Sequence, residues 1–101
     1  MTSEKDYAVR FIAREQAELQ AVERDSTRLA PDEVAGRSIA TLISAGTELA
    51  GGYTAESGFP RGSGYAAVFE VESVGDAVKD INAGDRVFCM GNHKSYQRVK
   101  R

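Results

Sequence analysis

A second cysteine is missing from this 101-residue sequence. Cys89 alone can close no internal disulfide, so the fold owes nothing to an oxidising compartment. No apolar run approaches the ~20 residues that a spanning helix requires. The start, residues 1–6, is polar and mixed in charge with no apolar stretch behind it, so neither a membrane partner nor a signal segment is indicated and a cytoplasmic protein is expected. Charge of one sign is lacking too. Thirteen Lys and Arg stand interspersed with fifteen Asp and Glu, for a net charge of −2, which excludes the clustered basic surface of a nucleic-acid or anionic-membrane binder. Also absent is a Gly-x-Gly-x-x-Gly turn between a strand and a helix, the usual phosphate-cradling platform of a dinucleotide site. No CxxC and no second histidine accompany Cys89 and His93, two potential metal ligands separated by Met90, Gly91 and Asn92. That pair falls short of the three protein ligands that a catalytic zinc needs, and a buried strand cysteine with a loop histidine is the simpler reading.

The composition that remains is that of a soluble globular chain, 42% hydrophobic and 28% charged, long enough for one domain and too short for two. Period-two alternation predicts a strand over residues 7–14, with Val9, Phe11 and Ala13 on one side. Residues 15–24 are rich in Glu, Gln, Ala and Leu and lean towards helix on propensity, although Ala17, Leu19 and Ala21 also alternate. After a polar connection over 25–32, residues 33–44 read as a strand whose interior Gly36 marks a bulge or a close backbone approach. Residues 45–64 are Gly- and Ser-rich, a loop with room for one short helical turn. Residues 65–74 form the clearest strand. Ile81 to Asp85 form a turn in which Gly84 can take a positive φ, leading into a strand over 86–90, and Tyr96 and Val99 sit at strand-like positions. Short strands between Gly-rich turns indicate a mainly β barrel or sandwich.

Three segments in this order resemble the N-terminal domain of the medium-chain dehydrogenase/reductase superfamily, in its zinc-type alcohol dehydrogenase group. They are Glu33-Val34 through Ser44-Ala45-Gly46-Thr47-Glu48; Phe59-Pro60 with Gly64-Tyr65-Ala66 and Val68 through Gly75; and Val78 through Gly84-Asp85-Arg86-Val87. The resemblance implies a GroES-like, partly open β-barrel with short helical turns, which turns the expectation for residues 15–24 from helix to strand. It also gives Gly75, Gly84 and Asp85 turn roles, with Asp85 accepting backbone N–H groups. The whole of 1–101 would be an incomplete, truncated GroES-like domain with the Rossmann domain absent.

Two departures from the family pattern bear on chemistry. Ala45 stands where zinc-dependent members carry a cysteine ligand and Tyr65 where they carry a histidine, with Ala66 in place of the acidic residue that follows. A methyl group and a phenol do not replace a thiolate and an imidazole, so the resemblance is to a zinc-less branch and no metal is expected. By the same resemblance, Thr47 falls at the position of the proton-relaying hydroxyl. Tyr65 could hydrogen-bond a carbonyl oxygen, Glu48 matches an acidic position beside the site, and His93 could face a substrate cleft. Thr47, Tyr65 and Glu48 are the catalytic candidates. Alternative readings are a turn-stabilising hydroxyl, a half-buried barrel residue and a surface charge. The implied function is the substrate-side portion of an alcohol dehydrogenase-like, NAD(P)-dependent, zinc-independent oxidoreductase, acting on a small molecule. The isolated chain is expected to bind no cofactor, to be inactive and to self-associate through an exposed strand edge. The alternative is a free-standing, non-catalytic GroES-like binding module.

Overall fold

The computed structural model of the chain describes residues 5–25 and 27–101. The polar residues 1–4 of the sequence reading, and Ser26 of its first connection, lie outside the described residues. Alternation and turn chemistry place the strands close to where the pattern puts them. β1 (Lys5–Ala13) and β2 (Gln16–Glu23) form an antiparallel hairpin, closed at Arg14 and Glu15, the latter at a left-handed φ of 57°. Helix-forming composition in β2 is overridden because every residue gains a cross-strand partner in β1. Arg10 lies opposite Glu18, and such an opposite-charge pair favours the register. Leu19 is 67% exposed, so no buried helical face was available to compete.

The remaining elements are β3 (Glu33–Leu42), a helical turn α1 (Ala45–Glu48) that runs on into a π-helical turn (Leu49–Tyr53), β4 (Arg61–Gly62), β5 (Ala66–Val74), β6 (Arg86–Met90) and β7 (Tyr96–Lys100). They form two antiparallel sheets, one ordered β2-β1-β4 and the other β6-β5-β3-β7. No described helix is long and apolar enough to cross a membrane. Segment 93–95 joins the sheets. Its backbone bonds β1 through Val9 N–H to the His93 carbonyl and Ser95 N–H to the Tyr7 carbonyl, each at 2.8 Å, and β3 through Ser38 N–H to the Ser95 carbonyl, also at 2.8 Å. The result is a curled half-barrel with a Cα radius of gyration of 14.6 Å, above the ~13 Å of a closed 100-residue domain.

The main core is small. Val34, Phe69, Val71 and Val78 are its buried centre, with Val74, Ile81, Val87, Cys89 and Val99 packed around them. Gly36 has the role its position suggests. It follows a register shift in the β3–β5 ladder, and a Cβ there would overlap the Glu70 carbonyl. The turn before β6 also takes the expected form, with Gly84 at φ 93° and the Asp85 carboxylate accepting from Asn82 N–H at 2.9 Å.

One sheltered ion pair closes the open end of the first hairpin and faces the segment that leads into β7. The Asp6 carboxylate, on a residue 5% exposed, accepts Arg24 Nε at 2.8 Å, Arg24 Nη2 at 2.9 Å and Ser95 Oγ at 3.0 Å. The Arg24 guanidinium lies 4.0 Å from the Tyr96 ring centroid. The hydrogen bond from Arg24 outweighs desolvation and holds the Asp6 carboxyl below the ordinary carboxylate range. A folded pKa below the unfolded one contributes stability above the unfolded value of about 4, lost as pH falls through the folded value. Wild-type stability in urea is therefore expected to decline on acidification below about pH 4 more steeply than that of Asp6→Asn. Equal slopes would discount the pair. Replacing Gly36 with alanine forces β3 away from β5 and is expected to cost about 2–3 kcal/mol in urea unfolding. A neutral result would mean that the strands separate freely there.

Candidate functional site

Most of the candidate residues converge where the end of β3, α1 and the loop between β6 and β7 meet. β3 carries Thr41, and the chain then turns at Ser44 into α1, which presents Thr47 and Glu48. The loop after β6 is held from below by Gln97, which is 1% exposed. The Gln97 Nε2 group donates to the Asn92 carbonyl at 3.0 Å and to Ser38 Oγ at 3.1 Å, and Ser38 Oγ donates in turn to the Lys94 carbonyl at 2.6 Å. On the other side His93 N–H donates to the Ser63 carbonyl at 2.8 Å. Gly64, at φ 112°, has no Cβ to collide with the His93 backbone. The loop is thus fixed by bonds to its own backbone, and His93 is directed at α1.

His93 is engaged at both ring nitrogens. Its Nε2 lies 2.6 Å from Glu48 Oε1 and its Nδ1 lies 2.6 Å from Thr41 Oγ1. An ionised carboxylate only accepts, so this pairing assigns the Nε2 hydrogen to the Glu48 bond, and Nδ1 of a neutral ring accepts from the Thr41 hydroxyl. The His93 and Glu48 side chains are only 12% and 16% exposed. The second Glu48 oxygen accepts Ser44 N–H at 3.2 Å, while Ser44 Oγ donates to Thr47 Oγ1 at 3.1 Å. Thr47 itself is exposed. Two hydrogen-bonded strings therefore meet at Ser44, a sheltered one through Glu48 and His93 to Thr41, and an exposed one ending on Thr47.

Of the sequence candidates, Thr47, Glu48 and His93 are brought into one cluster. Tyr65, immediately before β5, is 39% exposed. Its carbonyl accepts Gly91 N–H at 3.1 Å at the base of the His93 loop. Cys89 is half-buried on β6, and burial pushes its thiol pKa up despite the opposing charge of Lys94, which disfavours the thiolate that metal binding needs. Among the described residues no three His, Cys, Asp or Glu side chains come close enough to share a metal. Thr41, Ser44 and Gln97 carry the arrangement, and none was singled out by sequence. Thr41 lies mid-pattern in a strand, Ser44 stood in the motif only as a flank of Thr47 and Glu48, and a buried glutamine at a strand position resembles any polar residue of an alternating edge.

Two hollows flank the cluster. A shallow, mostly apolar cleft of about 310 Å3 is lined by Tyr7, Leu19, Ile39, Thr41 and His93 among others. A larger and more polar cavity of about 710 Å3 runs beside the Asp6–Arg24 pair and includes none of Thr41, Thr47, Glu48, Tyr65 or His93.

Removing the imidazole leaves the sheltered Glu48 carboxylate with only the Ser44 amide. His93→Ala is expected to cost about 2–3 kcal/mol in urea unfolding, and Thr41→Val clearly less because His93 keeps Glu48. Similar losses in the two variants would show that Glu48 does not depend on the ring.

No protein-family model matches the sequence, and no curated protein is detectably similar to it. Solved structures are similar in fold. A mutant form of enoyl thioester reductase from Candida tropicalis superposes with a TM-score of 0.72 at 20% identity, over 96% of this chain and 32% of that one. The mitochondrial 2-enoyl thioester reductase Etr1p/Etr2p heterodimer from the same organism gives 0.71 at 22% identity, with the same coverage of both chains. A complex of Etr1p with NADP and crotonyl-CoA gives 0.70 at 21% identity. The chain spans about a third of the length of these proteins. Its fold is that of the matched third of these reductases, a GroES-like β half-barrel.

Proposed function

We propose that this chain forms the substrate-side portion of a nicotinamide-dependent oxidoreductase that works without zinc, with Thr47 and Tyr65 facing the substrate and Glu48 and His93 holding Thr47 in place. The observation that carries this reading is the sheltered Thr41–His93–Glu48 string, which pins an otherwise exposed helical turn on a fold shared with enoyl thioester reductases. A turn pinned in that way presents the Thr47 hydroxyl in one orientation. A hydroxyl that accepts from Ser44 keeps its own hydrogen free for a substrate oxygen. The Tyr65 phenol, half out of the sheet, has the chemistry to stabilise a carbonyl or enolate oxygen.

Zinc independence is supported by the donor set. Ala45 offers no ligand atom, both His93 nitrogens are already hydrogen-bonded, and the Cys89 thiol is held protonated by burial. The chain alone is proposed to bind no nicotinamide nucleotide. In support, the described helical residues are confined to α1 and the π-helical turn, 45–53, and the turn from β3 into α1 lacks the Gly-x-Gly-x-x-Gly pattern that cradles a diphosphate. The bound cofactor would supply the hydride. This chain's residues would bind, orient and protonate. The substrates of the fold relatives make a 2-enoyl thioester the first compound to test, with aldehydes and ketones beside it. The alternative of a non-catalytic binding module predicts no reductase activity in any context.

The native polypeptide that carries these residues is expected to oxidise NADPH or NADH with one of these substrate classes in the presence of a chelator. Thr47→Val should lower kcat about 10²-fold with little change in KM, while the 101-residue chain alone neither turns over nor binds NADPH by calorimetry. Activity abolished by chelation, full activity of Thr47→Val, or tight NADPH binding by the isolated chain would each contradict the proposal.

A further inference from the structure

β6 is an edge strand with an unusual face. Its flanking bonds fix its hydrogen-bonding phase: Gly91 N–H donates to the Tyr65 carbonyl and Val71 N–H to the Asp85 carbonyl. Val87, Cys89 and Gly91 and the Asp85 carbonyl are therefore directed at β5, and Arg86, Phe88 and Met90 direct their backbone groups at the open edge. None of these three N–H and C=O pairs has a partner among the described residues. The same three side chains stand on the outer face of the sheet, where Phe88 is 64% and Met90 60% exposed. Behind them on that face lie Val68 and Ala66, their cross-strand partners in β5, and Ala40 and Leu42 in β3. Natural edges are blunted by lysine, proline or bulges. This one has none of these between Arg86 and Met90.

We infer that the β6 edge is a self-association surface whose occupant is a second copy of this chain, paired antiparallel about a two-fold axis through Phe88. The strand is complementary to itself in that register and phase. Phe88 meets Phe88 of the other copy, and Arg86 meets Met90. These are the three residues with open backbone groups, so the pairing forms six inter-strand hydrogen bonds, two at each of the three opposed positions. No like charges oppose one another directly. Arg86 stays beside its own cross-strand Glu70, so its aliphatic stem can cover Met90 of the other copy. Just beyond the paired residues, Gly84 and Gly91 present no side chain to an incoming strand. The contact joins two four-stranded sheets into one of eight and extends the apolar outer face across the axis. An edge of five residues gives an interface at or below the lower end of the specific range, under about 1,200 Å2, so the dimer is expected to form and dissociate with concentration.

Sedimentation of the 101-residue chain over a concentration series tests this. A monomer–dimer equilibrium is expected, and Phe88→Lys, which places two ammonium groups across the axis, should raise the dissociation constant at least tenfold with an unchanged β-type circular dichroism spectrum. A second variant pair keeps the inference falsifiable if Phe88→Lys misfolds. In a Cys89→Ser background, Phe88→Cys should form a disulfide-linked dimer under mild oxidation, because opposed residues of a hydrogen-bonded pair lie about 5.5 Å apart at Cα, within disulfide range. Arg86→Cys, displaced from the axis by two residues in each copy, should not. A chain that stays monomeric at the highest concentration, associates into open oligomers, or cross-links equally well through either cysteine would overturn the inference.

Discussion

The buried amide of Gln97 is the constraint on which the upper half of the molecule depends. A side-chain amide with no access to water must find partners within the fold or forfeit its hydration, and Gln97 finds them in Ser38 and in the backbone of the His93 loop. In doing so it sets the path of residues 91–95. That segment carries His93 to Glu48, provides the bonds that join β1 to β3, and brings Ser95 to Asp6. A non-polar residue at position 97 would fill the same space and leave the loop without direction. Hydrophobic burial around Phe69 and Val71 holds the four-stranded sheet together. The polar interior beside it decides how the second sheet and α1 are placed.

Much of the fold was legible in the sequence because strands announce themselves by alternation and turns by glycine. β6 falls at the residues where the pattern puts it, and β1, β3 and β5 differ only at their ends. The segment 16–23 was not legible from local propensity. Its helix-forming residues become a strand because β1 offers a complete ladder, and only the resemblance to a known family anticipated this. In the site, Thr47 and Glu48 were visible through a short motif, and His93 only as a lone histidine with several uses. Thr41 and Gln97 were invisible because their significance lies in partners many residues away. His93 and Thr41 are 52 positions apart, and Gln97 and Ser38 are 59 apart. Nothing in a local pattern encodes contacts at that separation.

The departures from the zinc pattern and the hydrogen-bonded cluster have one physical logic. A metal ion would fix loop positions by coordination. Where the family resemblance would put two zinc ligands stand Ala45 and Tyr65, and the α1 turn is fixed by a carboxylate–imidazole–hydroxyl string, whose bonds are directional but individually weaker. Glu48, which the resemblance matches to an acidic position beside the site, is hydrogen-bonded to His93 and Ser44 and holds α1 in place. What remains open to solvent next to it on α1 is Thr47.

The stitching of β1 to segment 93–95 has a consequence for how the chain is made. Tyr7 and Ser95 are bonded to each other across 88 positions, so the first hairpin emerges from the ribosome long before the residues that anchor it. Two strands alone are marginal in water, and contacts of such long separation close slowly. During synthesis the nascent β1–β2 hairpin must wait, unsupported, until nearly the last of these residues has been translated. The vulnerable interval in the life of this protein is therefore its birth, and strand β2, whose only large apolar residues are Leu19 and Val22, is suited to remain soluble through it.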